Sequence, residues 1–170
     1  ALPMDVGYAA ARIGAVSITQ ENSSKKMYRW QAKIYANKIR HFMDDTKRPN
    51  VLMHMDMPGK SATYGGYFEA DIKSSANSRL QVKADISSTY LHASMTMYQP
   101  GQLPMYMLTW PDNRKDQYGV AASWSLPIDS SVKLLINGRA DYIRYDLVTA
   151  ESKDQVSIFG YSSAGRTDWL

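Results

Sequence analysis

Residues 62–73, ATYGGYFEADIK, decide the fold. Tyr64, Gly66, Phe68, Ala70 and Ile72 fall on one side of an extended chain, with Thr63, Gly65, Tyr67, Glu69, Asp71 and Lys73 on the other. A period of two with one apolar side marks a β-strand with two unlike faces. The next stretch, 80–90, repeats it: Leu80, Val82, Ala84, Ile86 and Tyr90 alternate with Gln81, Lys83, Asp85, Ser87 and Thr89. Between the two lies only the polar run Ser74-Ser75-Ala76-Asn77-Ser78-Arg79, a turn that makes the pair a hairpin.

The alternation spreads outward from this hairpin. Upstream, Tyr28, Trp30, Ala32, Ile34 and Ala36 alternate with Arg29, Gln31, Lys33, Tyr35 and Asn37. Downstream, Tyr118, Val120, Ala122, Trp124 and Leu126 alternate with Gln117, Gly119, Ala121, Ser123 and Ser125. Val132, Leu134, Ile136, Gly138, Ala140 and Tyr142 continue the series against Lys133, Asn137, Arg139 and Asp141, broken only at Leu135. Weaker candidates lie at about Val6 to Ile18 and about Gln155 to Tyr161, which brings the expectation to about seven strands and no helix.

The links alternate in length. Thr19–Lys26, Ser74–Arg79 and Pro127–Ser131 are short, His41–Ser61 and Tyr98–Asp116 are long, and one near Val148–Asp154 is intermediate. An up-and-down meander puts all odd links at one end and all even links at the other. The chain therefore reads as all-β, an antiparallel meander that is a segment of a transmembrane β-barrel with short periplasmic turns and long external loops. Aromatic residues near strand ends on the apolar side (Tyr28, Trp30, Tyr64, Tyr90, Tyr118, Trp124 and Tyr142) fit interfacial girdles. A soluble sandwich or lipocalin-like protein would turn the same alternation inward. Against that, Ala32, Ala36, Ala70, Ala84, Ala122 and Ala140 would fill a dry core poorly. Seven strands leave an open edge, which a bilayer does not tolerate, and single-chain bacterial barrels carry an even number from about eight upward. Residues 1–170 thus read as part of one β-barrel domain that needs more chain or a partner to close.

Composition narrows function by exclusion. The 170 residues carry 20 Lys+Arg against 16 Asp+Glu, a net charge of +4 spread along the chain, so no basic stripe argues for nucleic acid. No apolar run approaches the roughly 18 residues of a transmembrane helix, and no charged-then-apolar start marks a signal peptide. Cysteine is absent, which removes disulfides, thiolate zinc sites, iron–sulfur clusters and a cysteine nucleophile. No nucleophile elbow, phosphate loop, dinucleotide fingerprint or H-E-x-x-H helix is present, and Asp44-Asp45 reads as a pair solvating a loop; the chain is not expected to be an enzyme.

Methionine, at 10, is more than twice the roughly four of average usage. Met43, Met53, Met55 and Met57 lie in or beside the first long link, Met95, Met97, Met105 and Met107 in or beside the second, with His41, His54 and His92 in the same regions. Thioether sulfur is a soft ligand and imidazole a borderline one, a pairing that selects copper, Cu(I) above all, over hard ions. His41-Phe42-Met43 places its two donors on one side of an extended backbone, and the run Met53-His54-Met55-Asp56-Met57 suggests the same arrangement. His41, Met43, Met53, His54, Met55 and Met57 are therefore the candidate metal ligands. Methionine also serves as adaptable packing. For the first link metal binding and packing both stay open, since next to Pro58-Gly59 these residues have no evident core to fill. Met95, Met97, Met105 and Met107 read rather as packing or loop–loop contact, and His92 as a histidine satisfying a local hydrogen bond.

The stretch from Ile34 through Tyr35, Asn37, His41, Phe42 and Met43 to Asp44-Asp45, followed by Arg48-Pro49-Asn50, the methionine cluster and Thr63-Tyr64-Gly65-Gly66, resembles the barrel of TonB-dependent outer-membrane receptors, most of all their copper-receptor subgroup. The strand pattern resembles that family over most of residues 27–147, the specific motif over about residues 34–66. The resemblance implies that His41 and Met43 are the barrel-side copper ligands. It departs from the pattern at Asp45, where the subgroup has Asn, and in lacking the plug domain that brings the remaining ligands, a cysteine among them.

The expectation is accordingly a segment of an outer-membrane receptor that takes up copper as its transported ligand through His/Met-rich external loops. Its implied partners are outer-membrane lipid, the remainder of the barrel and plug, and a TonB-type energy-coupling protein. The alternatives are a receptor for a siderophore or other organic ligand, with Trp110 and the loop tyrosines stacking on it, and a soluble β-sandwich binding module.

Overall fold

The structure, a computed structural model, describes residues 4–75, 78–162 and 164–169. Seven strands form one antiparallel sheet in chain order: β1 (Asp5–Glu21), β2 (Met27–Asp44), β3 (His54–Lys73), β4 (Arg79–Tyr98), β5 (Met105–Pro127), β6 (Lys133–Leu147) and β7 (Arg166–Trp169). One helix, α1 (Ala150–Ile158), lies between β6 and β7. Each strand pairs only with its sequence neighbours, the order of an up-and-down meander.

Links 22–26, 74–78 and 128–132 stand at one end, and 45–53, 99–104 and 148–165 at the other. Ser74 N–H donates to the Ser78 carbonyl at 3.0 Å, closing the hairpin whose tip, Ala76 and Asn77, lies outside the described residues. The strands run much further into the long links than expected: β2 continues through His41 to Asp44, and β3 begins at His54 rather than near Ala62. The cause is in the sequence, since Met-x-Met-x-Met has itself the period of a strand.

The register brings like faces together. Ile34, Gly66, Ile86, Tyr118 and Tyr142 stand side by side across β2 to β6, and Ala32, Phe68, Ala84, Val120 and Ala140 form the row next to them. This apolar side is open, with Ile34 at 68% and Val120 at 60% exposure. The chain exposes 11790 Å² at 19.2 kDa, where a compact monomer of that mass exposes about 8,400 Å². No second layer covers the apolar side among the described residues, which form one sheet and not the two facing sheets of a sandwich. On the polar side Arg139 bridges Asp85 and Asp141, and Arg29 reaches Glu69 and Asp71. These pairs are half open to solvent and do more to hold register than to add stability.

The expected strand at Gln155–Tyr161 is corrected: Ala150–Ile158 is helical, and the seventh strand is Arg166–Trp169. Four residues of alternation cannot outweigh a good helix start. The Thr149 hydroxyl oxygen caps the helix by accepting from Ser152 N–H, Glu151 stands in the first turn, and Gly160, at φ 77°, turns the chain out. The helix seals an edge. β6 pairs with β5 only from Asn113 toward Pro127, leaving the upper part of β5 without a strand neighbour on that side. There Asp112 N–H donates to Ser152 Oγ at 2.8 Å, Leu108 N–H donates to Gln155 Oε1, and Gln155 Nε2 donates back to the Leu108 carbonyl. Side chains of the helix thus stand in for the missing ladder.

Asp112 ties this region together. Its buried carboxylate accepts from Tyr90 OH and His92 Nδ1 on β4 and from Thr149 Oγ1 before the helix. Asp112→Ala would orphan these donors at a cost of about 1–3 kcal/mol. The expected result is faster hydrogen exchange than in the wild type at the amides of Leu108 and of residue 112, with Val120 at mid-sheet unchanged; wild-type protection at all three would disprove the anchoring role.

Candidate metal centre

At the long-link end the polar side of the sheet becomes rich in methionine. Met43 on β2 stands opposite Met57 on β3, and Met95 on β4 opposite Met107 on β5. The pairs flanking Met57, Asp56 with Thr96 and Gly59 with Ala93, set it across from Met95, so one row of thioethers crosses four strands. A second row, Met55, Met97 and Met105, lies one step farther out. Neighbouring side chains in such rows are about 5 Å apart at Cβ.

One step inward from Met43, the His41 imidazole lies over Gly59 on β3. A Cβ built on Gly59 would fall 2.5 Å from His41 Nε2 and closer still to Cε1, so the absence of a side chain there is what lets the ring settle on the sheet. His41, Met43 and Met57 line one cavity of about 440 Å³, with Ile39, Leu91 and Trp110 completing its apolar wall. Thr109, which borders the same cavity, has its Oγ1 buried without a hydrogen-bond partner among the described residues. Lys60, Ser61 and His92 also border the cavity, and the His41 imidazole with the Met43 and Met57 thioethers is a donor set that suits a soft monovalent ion. Among the described residues no three His, Cys, Asp or Glu side chains converge in a way that would hold a hard or borderline divalent ion instead.

The remaining candidates divide. Met55 is buried on the next row out, 3% exposed, its N–H donating to Asp45 Oδ1 at 2.8 Å. His54 does not reach the cavity. A period of two puts it on the face opposite Met55 and Met57, and its Nδ1 is 3.2 Å from the fully buried carboxylate of Asp45. Met53 lies in the 45–53 link, off the strands.

Asp44 and Asp45 share no chemistry. Asp45 organises the link, while Asp44 Oδ1 accepts from Thr46 Oγ1 and Thr46 N–H, which holds its carboxyl below the usual range. Arg48 closes the link onto β1 through Asp5 at 2.9 Å. Tyr98 OH donates to Asp56 Oδ2 at 2.9 Å, and this bond lifts the Tyr98 hydroxyl above its ordinary value. His92 makes the local hydrogen bond expected of it, to Asp112. Burial first and the charge of Lys60 second hold the ring below the ordinary histidine range.

The sequence reading missed Met95, Met107 and Gly59 as parts of one arrangement. The signal was available in the Met-x-Met spacing of 95–97 and 105–107, which matches that of 55–57.

No family model matches the sequence, and no curated protein matches it. Among solved structures the chain is similar to one described as the copper transporter OprC, with a TM-score of 0.73 at 15% identity, over 98% of this chain and 27% of that one. The chain thus spans about a quarter of the length of that transporter. At this identity the likeness is one of fold, and it agrees with a meander that forms a section of barrel wall.

Proposed function

We propose that this chain is a section of the wall of an outer-membrane receptor of the TonB-dependent kind, which takes up a metal ion, copper above all. The observation that carries the reading is the cavity where His41, Met43 and Met57 meet, continued across β4 and β5 by Met95 and Met107. The fold likeness to a copper transporter supports it.

The open apolar side supports the membrane as its place. From the row of Leu80 and Trp124 to the row of Tyr90 is ten residues of β4, about 33 Å along the strand and about 23 Å of height at a 45° tilt. That matches an apolar band of about 25 Å. Met95 lies five residues beyond Tyr90, so the methionine rows stand clear of the bilayer at the long-link end, where an ion arrives from outside.

In this reading no covalent bond changes. The ion exchanges water for thioether and imidazole donors, and its onward passage needs the rest of the barrel, a plug and an energy-coupling partner. A partial set of two thioethers and one imidazole suits capture and release better than permanent retention. X-ray absorption of the copper-loaded full-length protein should show mixed sulfur and nitrogen scattering, and a His41→Ala/Met43→Ala double variant should lose the nitrogen and part of the sulfur contribution and bind copper more weakly. Unchanged copper affinity in that variant ends the proposal.

Trp110, 57% exposed at the same cavity, favours a second reading, an organic ligand such as a siderophore stacked on the indole. Growth rescue by chelated iron and not by copper would select it.

A further inference from the structure

Beyond the metal cavity, on the opposite side of the sheet, the register assembles a cluster of cations. Arg12 on β1 stands directly opposite Lys38 on β2, and Arg40 on β2 directly opposite Lys60 on β3. All four are exposed, and among the described residues none makes an ion pair or side-chain hydrogen bond; Lys60, whose residue also borders the metal cavity, has its Nζ 5.8 Å from the centre of the Tyr90 ring. The nearest carboxylates on this side of β2 and β3, Asp44 and Asp56, lie four residues farther out and are engaged by Thr46 and Tyr98. Like charges placed directly across a sheet repel, so two such pairs side by side are a standing cost unless an anion joins them.

The arrangement is specific to β1–β3. In the rows shared with these cations or next to them, on the same face but over β5 and β6, Arg114 is paired with Asp116 at 3.0 Å and Arg144 with Asp146 at 2.7 Å. A general positive belt would leave those cations free as well. Directly inward of the four cations, on the same side, Val16, Ile18, Ala32, Ile34, Phe68 and Ile86 line an open apolar groove of about 500 Å³. Lys38 and Ile34 are four residues apart, about 13 Å along the strand.

We infer that this face binds an amphiphile carrying two or more phosphates above several acyl chains, the chemistry of a bis-phosphorylated glycolipid of the lipid A type. Guanidinium forks and ammonium groups grip the phosphates while the chains lie in the groove. A free phosphate would leave the groove unused, and a lipid with a single phosphate would satisfy only one of the two cation pairs. The inference rests on the apolar side facing lipid, as proposed above.

The test uses the full-length protein in detergent and native mass spectrometry with three probes: bis-phosphorylated lipid A, monophosphoryl lipid A and phosphatidylglycerol. The wild type should hold bis-phosphorylated lipid A most tightly. A quadruple Arg12→Gln/Lys38→Gln/Arg40→Gln/Lys60→Gln variant should bind it at least about tenfold more weakly, while Arg114→Gln/Arg144→Gln stays within about twofold. Should the quadruple variant not fold, the pairs Arg12→Gln/Lys38→Gln and Arg40→Gln/Lys60→Gln should each show a several-fold loss. Undiminished binding by these variants overturns the inference, as does phosphatidylglycerol binding as tightly as bis-phosphorylated lipid A. If the wild-type protein stays soluble without detergent, the membrane reading fails and this site with it; if detergent is required and the variants bind normally, only this site fails.

Discussion

Val120→Arg is expected to destabilise the protein folded into a bilayer by about 2–4 kcal/mol, the cost of a guanidinium near the midplane on the lipid side of a barrel. Val120 is 60% exposed, in the row of Ala84 and Ala140, close to midway between the Leu80 and Tyr90 rows. In water the same substitution at an open strand position would change stability by no more than about 0.5 kcal/mol. The prediction therefore separates the two readings of one surface. Urea titration of folding into lipid vesicles gives the difference. Ser123→Arg, on the polar side between Gln81 and Asn137, is the control and should cost less than about 1 kcal/mol. A Val120→Arg protein as stable as the wild type in lipid would mean that this face does not meet hydrocarbon.

The same two-sidedness explains what was legible in the sequence. Residues 62–73 and 80–90 alternate without interruption, and a slip of one residue would turn every side chain to the wrong face, so strand identity, register and pairing follow together. The link lengths then gave the meander. Two things were not legible. The helix at Ala150–Ile158 hides because Gln155 to Ile158 alternates by chance over one turn, and its reason for being there, the free edge of β5 at Leu108, exists only once the sheet is built. The true strand ends are hidden because His-x-Met and Met-x-Met fit soft metal donors in a loop as well as they fit the period of a strand. His54 shows the consequence. It looks like a companion of Met53 and Met55 in a linear reading, yet adjacent residues on a strand face opposite ways, and Asp45 takes it. His41 and Met43, at i and i+2, share the face their spacing predicts and line one cavity.

Gly59→Val tests whether that cavity holds copper through His41, and it should weaken copper binding by about 10- to 100-fold, the range for disturbing the support of a metal ligand. The fold should bear the change. Gly59 has no left-handed backbone to lose, and a β-branched residue suits a strand. What it cannot do is coexist with the imidazole where it lies, since the new Cβ would meet His41 at Nε2 and Cε1. The ring must swing off the sheet and away from Met43 and Met57. The substitution thus removes a ligand without altering it, which a double-mutant cycle can read. If His41 is the ligand, Gly59→Val in a His41→Ala background should cost little further affinity, because the group it displaces is already gone. Full additivity of the two losses would place the effect of Gly59 elsewhere in the cavity. Unchanged copper affinity in Gly59→Val alone would remove His41 from the metal site altogether and leave the ion to the thioethers at this end of the sheet.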